Sequence, residues 1–320
     1  MAALTGTKSF IFEQNDGFTS CHASTLTHLS GGDLLAAWFG GTCEGDPDVD
    51  IWISRRHKGT WSPPVKAAEE AGLPHWNPVL FTSGDGTVYL FYKVGHTFSE
   101  WYTRVAVSTD EGRTWSQPRE LVQGDRGGRG PVRNKPIILQ NGAWAAPASL
   151  EQAAWEAFVD ISPDAGETWT SSNIIQAGVS REPGKGIIQP TLWESQPNHV
   201  HMLLRSTEGF IYRSDSVDGG KTWREAYATM LPNNNSGIDL VKTADGMLAL
   251  VHNPVGANWG PRTPLVVSLS ADEGVSWQQA LVLEEGEGEF SYPAIIEAGG
   301  KLYVTYTWNR KKIAFWELVW

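Results

Sequence analysis

Several familiar routes to function are closed by what this sequence lacks. It has two cysteines, Cys21 and Cys43, in 320 residues. Two cannot build a disulfide framework, and neither sits in a CxxC or comparable ligand spacing, so no metal and no cofactor is expected. No apolar run approaches the ~18 residues of a spanning helix. Positive charge is also short, with 25 Lys and Arg against 36 Asp and Glu and a net charge of −11. That balance repels phosphate backbones and anionic lipid, which argues against nucleic acid or a membrane surface as partner. Residues 1–10 (MAALTGTKSF) hold no apolar core behind a basic segment, so no secretion signal is read and a cytoplasmic protein is expected. Long amphipathic helical periodicity is missing too. Composition nonetheless suits a packed domain, at 41% hydrophobic and 19% charged.

What the chain does have is tryptophan and a repeat. The octet S-x-D-x-G-x-[ST]-W occurs at Ser108–Trp115, Ser162–Trp169, Ser216–Trp223 and Ser270–Trp277, and a worn copy (SRRHKGTW) ends at Trp61. The five tryptophans fall at 61, 115, 169, 223 and 277, a constant step of 54. Ser and Asp side chains bond nearby backbone N–H groups and set a turn, while Gly takes a backbone angle other residues resist. The octet therefore reads as a hairpin staple without chemistry of its own. A second marker lies between the staples: Gly31-Gly32-Asp33, Gly84-Asp85-Gly86, Asn141-Gly142, Gln196-Pro197-Asn198, Asp245-Gly246 and Gly299-Gly300. Each separates two apolar strand-like runs, as a tight hairpin turn does. Six units of about 54 residues, each four short antiparallel strands, predict an all-β, six-bladed β-propeller spanning 1–320 as one domain. The last unit lacks a staple, and a strand around Phe10 to Phe12 is expected to complete it, because closure removes a sheet edge. Residues 124–130 (GDRGGRG) read as a flexible loop.

In such a ring the ligand site lies over the channel, at the end opposite the staples, where loops from all blades converge. Polar residues beside the innermost strands are the candidates. His22, Trp76-Asn77, Asn134-Lys135, Gln189, Asn233 to Asn235 and Tyr292 precede or open them. Asp46, Asp48 and Asp50 lie in GGTCEGDPDVDI (40–51), and Arg205, His252, Arg262 and Trp308-Asn309-Arg310 follow second strands.

These features together resemble the exo-sialidase superfamily over nearly the whole chain. The resemblance implies that Arg205 (in MLLRS) and Arg262 (in GPRTP) clamp a substrate carboxylate, that Tyr292 (in SYPAI) is the nucleophile, and that Asp46 or Asp48 is the acid. Three departures accompany it. His22-Ala23-Ser24 stands where a first arginine is expected, Thr307 where its supporting Glu is expected, and Gln189-Pro190 where the base for the tyrosine is expected. A phenol is almost wholly protonated at neutral pH and needs a neighbouring base, which Gln cannot be. The sequence is thus similar to the divergent, predicted-neuraminidase branch. Further candidates for the pocket are Lys135 and Glu151 as charges, and Asn134, Asn234 and Asn235 as partners of sugar hydroxyls. Asp239 or Glu151 is the candidate for a substituted base, Arg310 a further cation, and Trp76 and Trp308 stacking surfaces. The expected function is a sialidase-like exo-glycosidase acting on a terminal acidic sugar. The alternatives are a uronic-acid lyase, with His22 or Tyr292 taking the proton beside a carboxylate that Arg262 neutralises, and a non-catalytic carbohydrate-binding propeller.

Overall fold

A computed structural model describes residues 3–14 and 17–320; residues 1 and 2, part of the stretch read for a leader, lie outside them. The chain forms six antiparallel sheets arranged as a six-bladed propeller. Five sheets have four strands and one has five. Their channel-facing strands are Ser20–His28, His75–Thr82, Ile137–Ile138, Ile187–Gln196, Asp239–Lys242 and Phe290–Ala298. The one helical element among the described residues is a single 3₁₀ turn at Phe98–Glu100.

The sixth blade closes the ring with the start of the chain. Thr5–Phe10 pairs antiparallel with Lys312–Val319, from Thr5 opposite Val319 to Phe10 opposite Ala314. The closing strand thus lies a few residues earlier than the expected Phe10 to Phe12. Phe12 turns instead into the core, against Phe18 and Trp38.

The staples fold as their side chains dictate. Asp110 accepts hydrogen bonds from Thr114 N, Thr114 Oγ1 and Arg113 N, while Ser108 Oγ donates to Asp110 and accepts from Gly112 N. The same pattern recurs around Asp164, Asp218 and Asp272. Gly112 has φ 78, and a Cβ there would sit 2.7 Å from Leu35 of the preceding blade. The worn copy has no such aspartate, and Lys58-Gly59, both left-handed, make its turn instead.

The 124–130 loop is pinned rather than flexible. Arg129 Nε and Gly130 N donate to the two oxygens of buried Asp160, each at 2.6 Å. Fully buried Lys93 donates to Gly128 O and Arg129 O from below. Burial pushes the Lys93 ammonium down to about 8.

Candidate functional site

Each blade presents one residue to the channel by the same backbone device. Ala23, Asn77, Arg133, Gln189, Asn235 and Tyr292 all have left-handed φ, between 42° and 69°, at the start of an innermost strand. Four of them lie in register shifts of the inner hairpin, between His22 and Thr25, Trp76 and Val79, Ile188 and Thr191, and Ser291 and Ala294. A bulge with a left-handed residue costs of order 1–3 kcal/mol, and such strain clusters where a side chain must be aimed. Of the six, Arg133, Gln189 and Asn235 join Tyr292 in one cluster at one end of the axis. The staples sit at the other end, beside the inner hairpin turns: Gly31 N, in the first of those turns, donates to staple residue Glu111.

Half-buried Tyr292 is the centre of that end. Its hydroxyl accepts from Arg205 Nη1 at 2.8 Å. Arg205, itself 2% exposed, also donates from Nη1 to Gln189 Oε1 at 3.1 Å and from Nε to Asn235 Oδ1 at 2.7 Å. Gln189 Nε2 in turn donates to Glu151 at 3.0 Å. The guanidinium carbons of Arg133, Arg205 and Arg262 lie 5.2, 5.7 and 5.4 Å from the Tyr292 ring centre. Arg205 and Arg262 therefore both lie against Tyr292, separated by no more than the sum of their distances to that ring. Trp155 and Trp259 flank Arg205 at 5.3 and 5.8 Å.

The remaining charges are arranged by Glu289, whose Oε1 accepts from Arg262 Nη1 and Arg310 Nε, both at 2.8 Å. Burial alone would raise the Glu289 carboxyl, but Arg310 and Arg262 hold it below its ordinary value. Arg310 also donates to Glu44. His22 packs its ring 4.1 Å from that of Tyr292, and its Nδ1 meets Thr307 Oγ1 at 2.8 Å. Among the described residues His22 Nε2 has no hydrogen-bond partner. Complete burial, then the charges of Arg310, Arg262, Arg133 and Arg205, drive its pKa well below the ordinary histidine value, so the ring is neutral. Two of the departures seen in the sequence thus compensate each other. Where a charged Arg–Glu pair is expected, a neutral His22–Thr307 pair stands.

Carboxylates of the 40–51 segment separate into distinct tasks. Asp48 accepts from Thr42 N and Oγ1 and closes a turn, and Asp50 pairs with Lys66 at 2.8 Å. Asp46 is half-buried, and among the described residues its side chain has no hydrogen bond. Of the two expected acids, the geometry leaves Asp46 available and occupies Asp48.

Other candidates are held elsewhere. Lys135 and Asp239 neutralise one another at 2.8 Å, and Asp239 also accepts from Thr191 Oγ1 and Ile295 N, knotting blades three to six around the axis. Neither faces Tyr292 as a base or a free pocket charge. Asn134 is buried and donates to Gln189 O and Pro190 O, and Asn234 donates to Pro261 O. Trp76 is 4% exposed, bonds Gly95 O and packs on Trp101, Phe98 and Phe39, so it offers no open face to a sugar. Trp308 packs on Phe10 and Phe290. Arg133, Trp155, Trp259 and Glu289 escaped the sequence reading. In Arg133-Asn134-Lys135 it is Arg133, held at a left-handed φ, that lies against Tyr292, while Asn134 and Lys135 bond to other blades.

The fold and this arrangement define a sialidase-like Asp-box propeller. More particularly, the chain belongs to the BNR repeat-like domain family, whose pattern matches residues 32–304. A sialidase of Paraclostridium sordellii is 24% identical over 237 residues, 63% of this chain and 56% of that protein, so the match spans little more than half of that relative. Among solved structures, the Hadza microbial sialidase Hz136 superposes with a TM-score of 0.80 at 18% identity, over 94% of this chain and 66% of that one. Trypanosoma rangeli sialidase in complex with the inhibitor DANA gives 0.78 at 14% identity, over 98% and 59%. A Dyadobacter fermentans protein of unknown function gives 0.77 at 16% identity over the full length of both chains. At these identities the likeness to solved structures is one of fold.

Proposed function

We propose that this protein is a sialidase-like exo-glycosidase that holds the carboxylate of a terminal acidic sugar between Arg205 and Arg262. The observation that carries the reading is the convergence of both guanidinium groups on the ring of Tyr292. Guanidinium forks match carboxylates bidentately, and a site of this kind gains most when it is partly desolvated. Asp46 supplies the proton to the leaving oxygen, and Tyr292 faces the anomeric carbon. Similarity to sialidases in sequence and fold supports the substrate class.

One observation favours elimination as a second reading. No carboxylate among the described residues hydrogen-bonds Tyr292, whereas neutral His22 lies against it with Nε2 free. On a uronic-acid glycoside His22 would take the C5 proton, the C4–O bond would break, and Tyr292 would return a proton to the leaving oxygen. The test is incubation with aryl sialosides and with uronic-acid glycosides, assaying released sugar and the ultraviolet absorbance of an unsaturated uronate. Released saturated acid, lost in Asp46→Asn, supports hydrolysis. An unsaturated product, lost in His22→Ala, supports elimination. Neither product with either class would overturn the enzymatic reading.

A further inference from the structure

One loop of blade one is tied to blade six by an ion pair. Residues 41–50 are internally stiff. Thr42 is bonded to Asp48 through its N and Oγ1, Asp46 N donates to Cys43 O, and Val49 N donates to Asp46 O, so the segment is built of consecutive turns. Its tip lies against Trp76, because a Cβ at Gly45, φ 90, would come 3.0 Å from that ring. From the tip Glu44 crosses to Arg310, whose Nε meets Glu289, which in turn holds Arg262. A chain of four alternating charges thus links the loop carrying Asp46 to a guanidinium group of the pocket.

We infer that Glu44 and Arg310 are positioning residues, whose ion pair clamps the 41–50 arm so that Asp46 stands over the pocket. The inference rests on reading that pocket as an acidic-sugar site with Asp46 as proton donor. The base of the arm is fixed by Thr19 Oγ1 donating to Thr42 O and His75 N donating to Val49 O, and its tip is held by the Glu44–Arg310 pair and the Gly45 contact with Trp76. Arg310 is bonded to two carboxylates, Glu44 and Glu289, whereas Arg262 is paired with Glu289 alone and Arg205 with none. The pair is part-exposed, at 28% for Arg310 and 36% for Glu44, so salt weakens it.

The test is amide hydrogen exchange over residues 42–49 in the wild type, Glu44→Gln and Arg310→Lys, alongside kinetics on an aryl sialoside. Loss of a part-exposed ion pair predicts exchange about threefold to fivefold faster in Glu44→Gln, with the rest of the chain unchanged. Added salt should speed exchange in the wild type and not in that variant. In the kinetics, Glu44→Gln should lower kcat at nearly constant KM, and Glu44→Asp should recover part of it. Unchanged exchange in Glu44→Gln overturns the inference. So does an Arg310→Lys variant that loses affinity for N-acetylneuraminic acid as heavily as Arg262→Ala, since Arg310 would then be a ligand clamp. If Arg262→Ala binds that acid as well as the wild type, the pocket reading fails instead, and the exchange result still reports on the tether.

Discussion

At the residue scale the pocket is a set of cations managed by few anions, and its neutral members are as informative as its charged ones. Gln189 is bonded on one side to Arg205 and on the other to Glu151, so replacing it by Glu alone sets two carboxylates side by side. Exchanging the pair, Gln189→Glu with Glu151→Gln, keeps the hydrogen bond and moves the carboxylate to the residue that touches Arg205. If Tyr292 is the nucleophile, the exchanged enzyme should turn over an aryl sialoside faster than the wild type, and Tyr292→Phe should abolish the gain. Equal turnover of all three would make Tyr292 pocket wall. Buried histidines set a pH limit as well. Burial lowers His252 to about 4, and His22 is lowered too. Below the unfolded value of about 6.5 the unfolded chain takes up protons that the folded chain refuses, so stability is intact above that pH and is lost as pH falls. For His252 the slope is about 1.4 kcal/mol per pH unit until its folded form protonates near 4. Denaturant midpoints between pH 7 and 4 should show it, with His252→Gln flattening the curve.

At the element scale, the blades were legible because hairpin chemistry is local. Asp110 finds its partners within four residues, so spacing alone reveals the turn. The pocket was legible only in part. Arg205, Arg262 and Tyr292 stand where a resemblance could find them, but the turn of Arg133 to the axis, the burial of Trp76 and the pairing of Lys135 with Asp239 depend on left-handed backbone positions and on contacts between blades. The 124–130 loop misled for the same reason, since its glycines suggest slackness while Asp160 and Lys93 reach it from other strands. Gly112 offers a test of the staple. Its left-handed φ and the nearness of Leu35 mean that Gly112→Ala should cost about 1–2 kcal/mol or more, read as a lower denaturant midpoint at constant slope. The same change at Gly142, left-handed with open space around it, should cost only the backbone part.

On the scale of the whole molecule, a chain of net charge −11 gathers Arg133, Arg205, Arg262 and Arg310 around one histidine at one mouth of its channel. An acidic ligand is repelled by the body and drawn by that mouth, so the attraction must be local and specific rather than a general field. Ring closure by Thr5–Phe10 holds blades one and six, and with them His22, Tyr292 and Arg310, in fixed relation. The central claim is that these arginines select a carboxylate. It is tested most directly by titrating the protein with N-acetylneuraminic acid and with its methyl ester, in the wild type and in Arg262→Ala. The free acid should bind about tenfold or more tighter than the ester, the worth of one charge-assisted hydrogen bond, and Arg262→Ala should erase most of that difference. Equal affinity of the wild type for acid and ester would contradict the account.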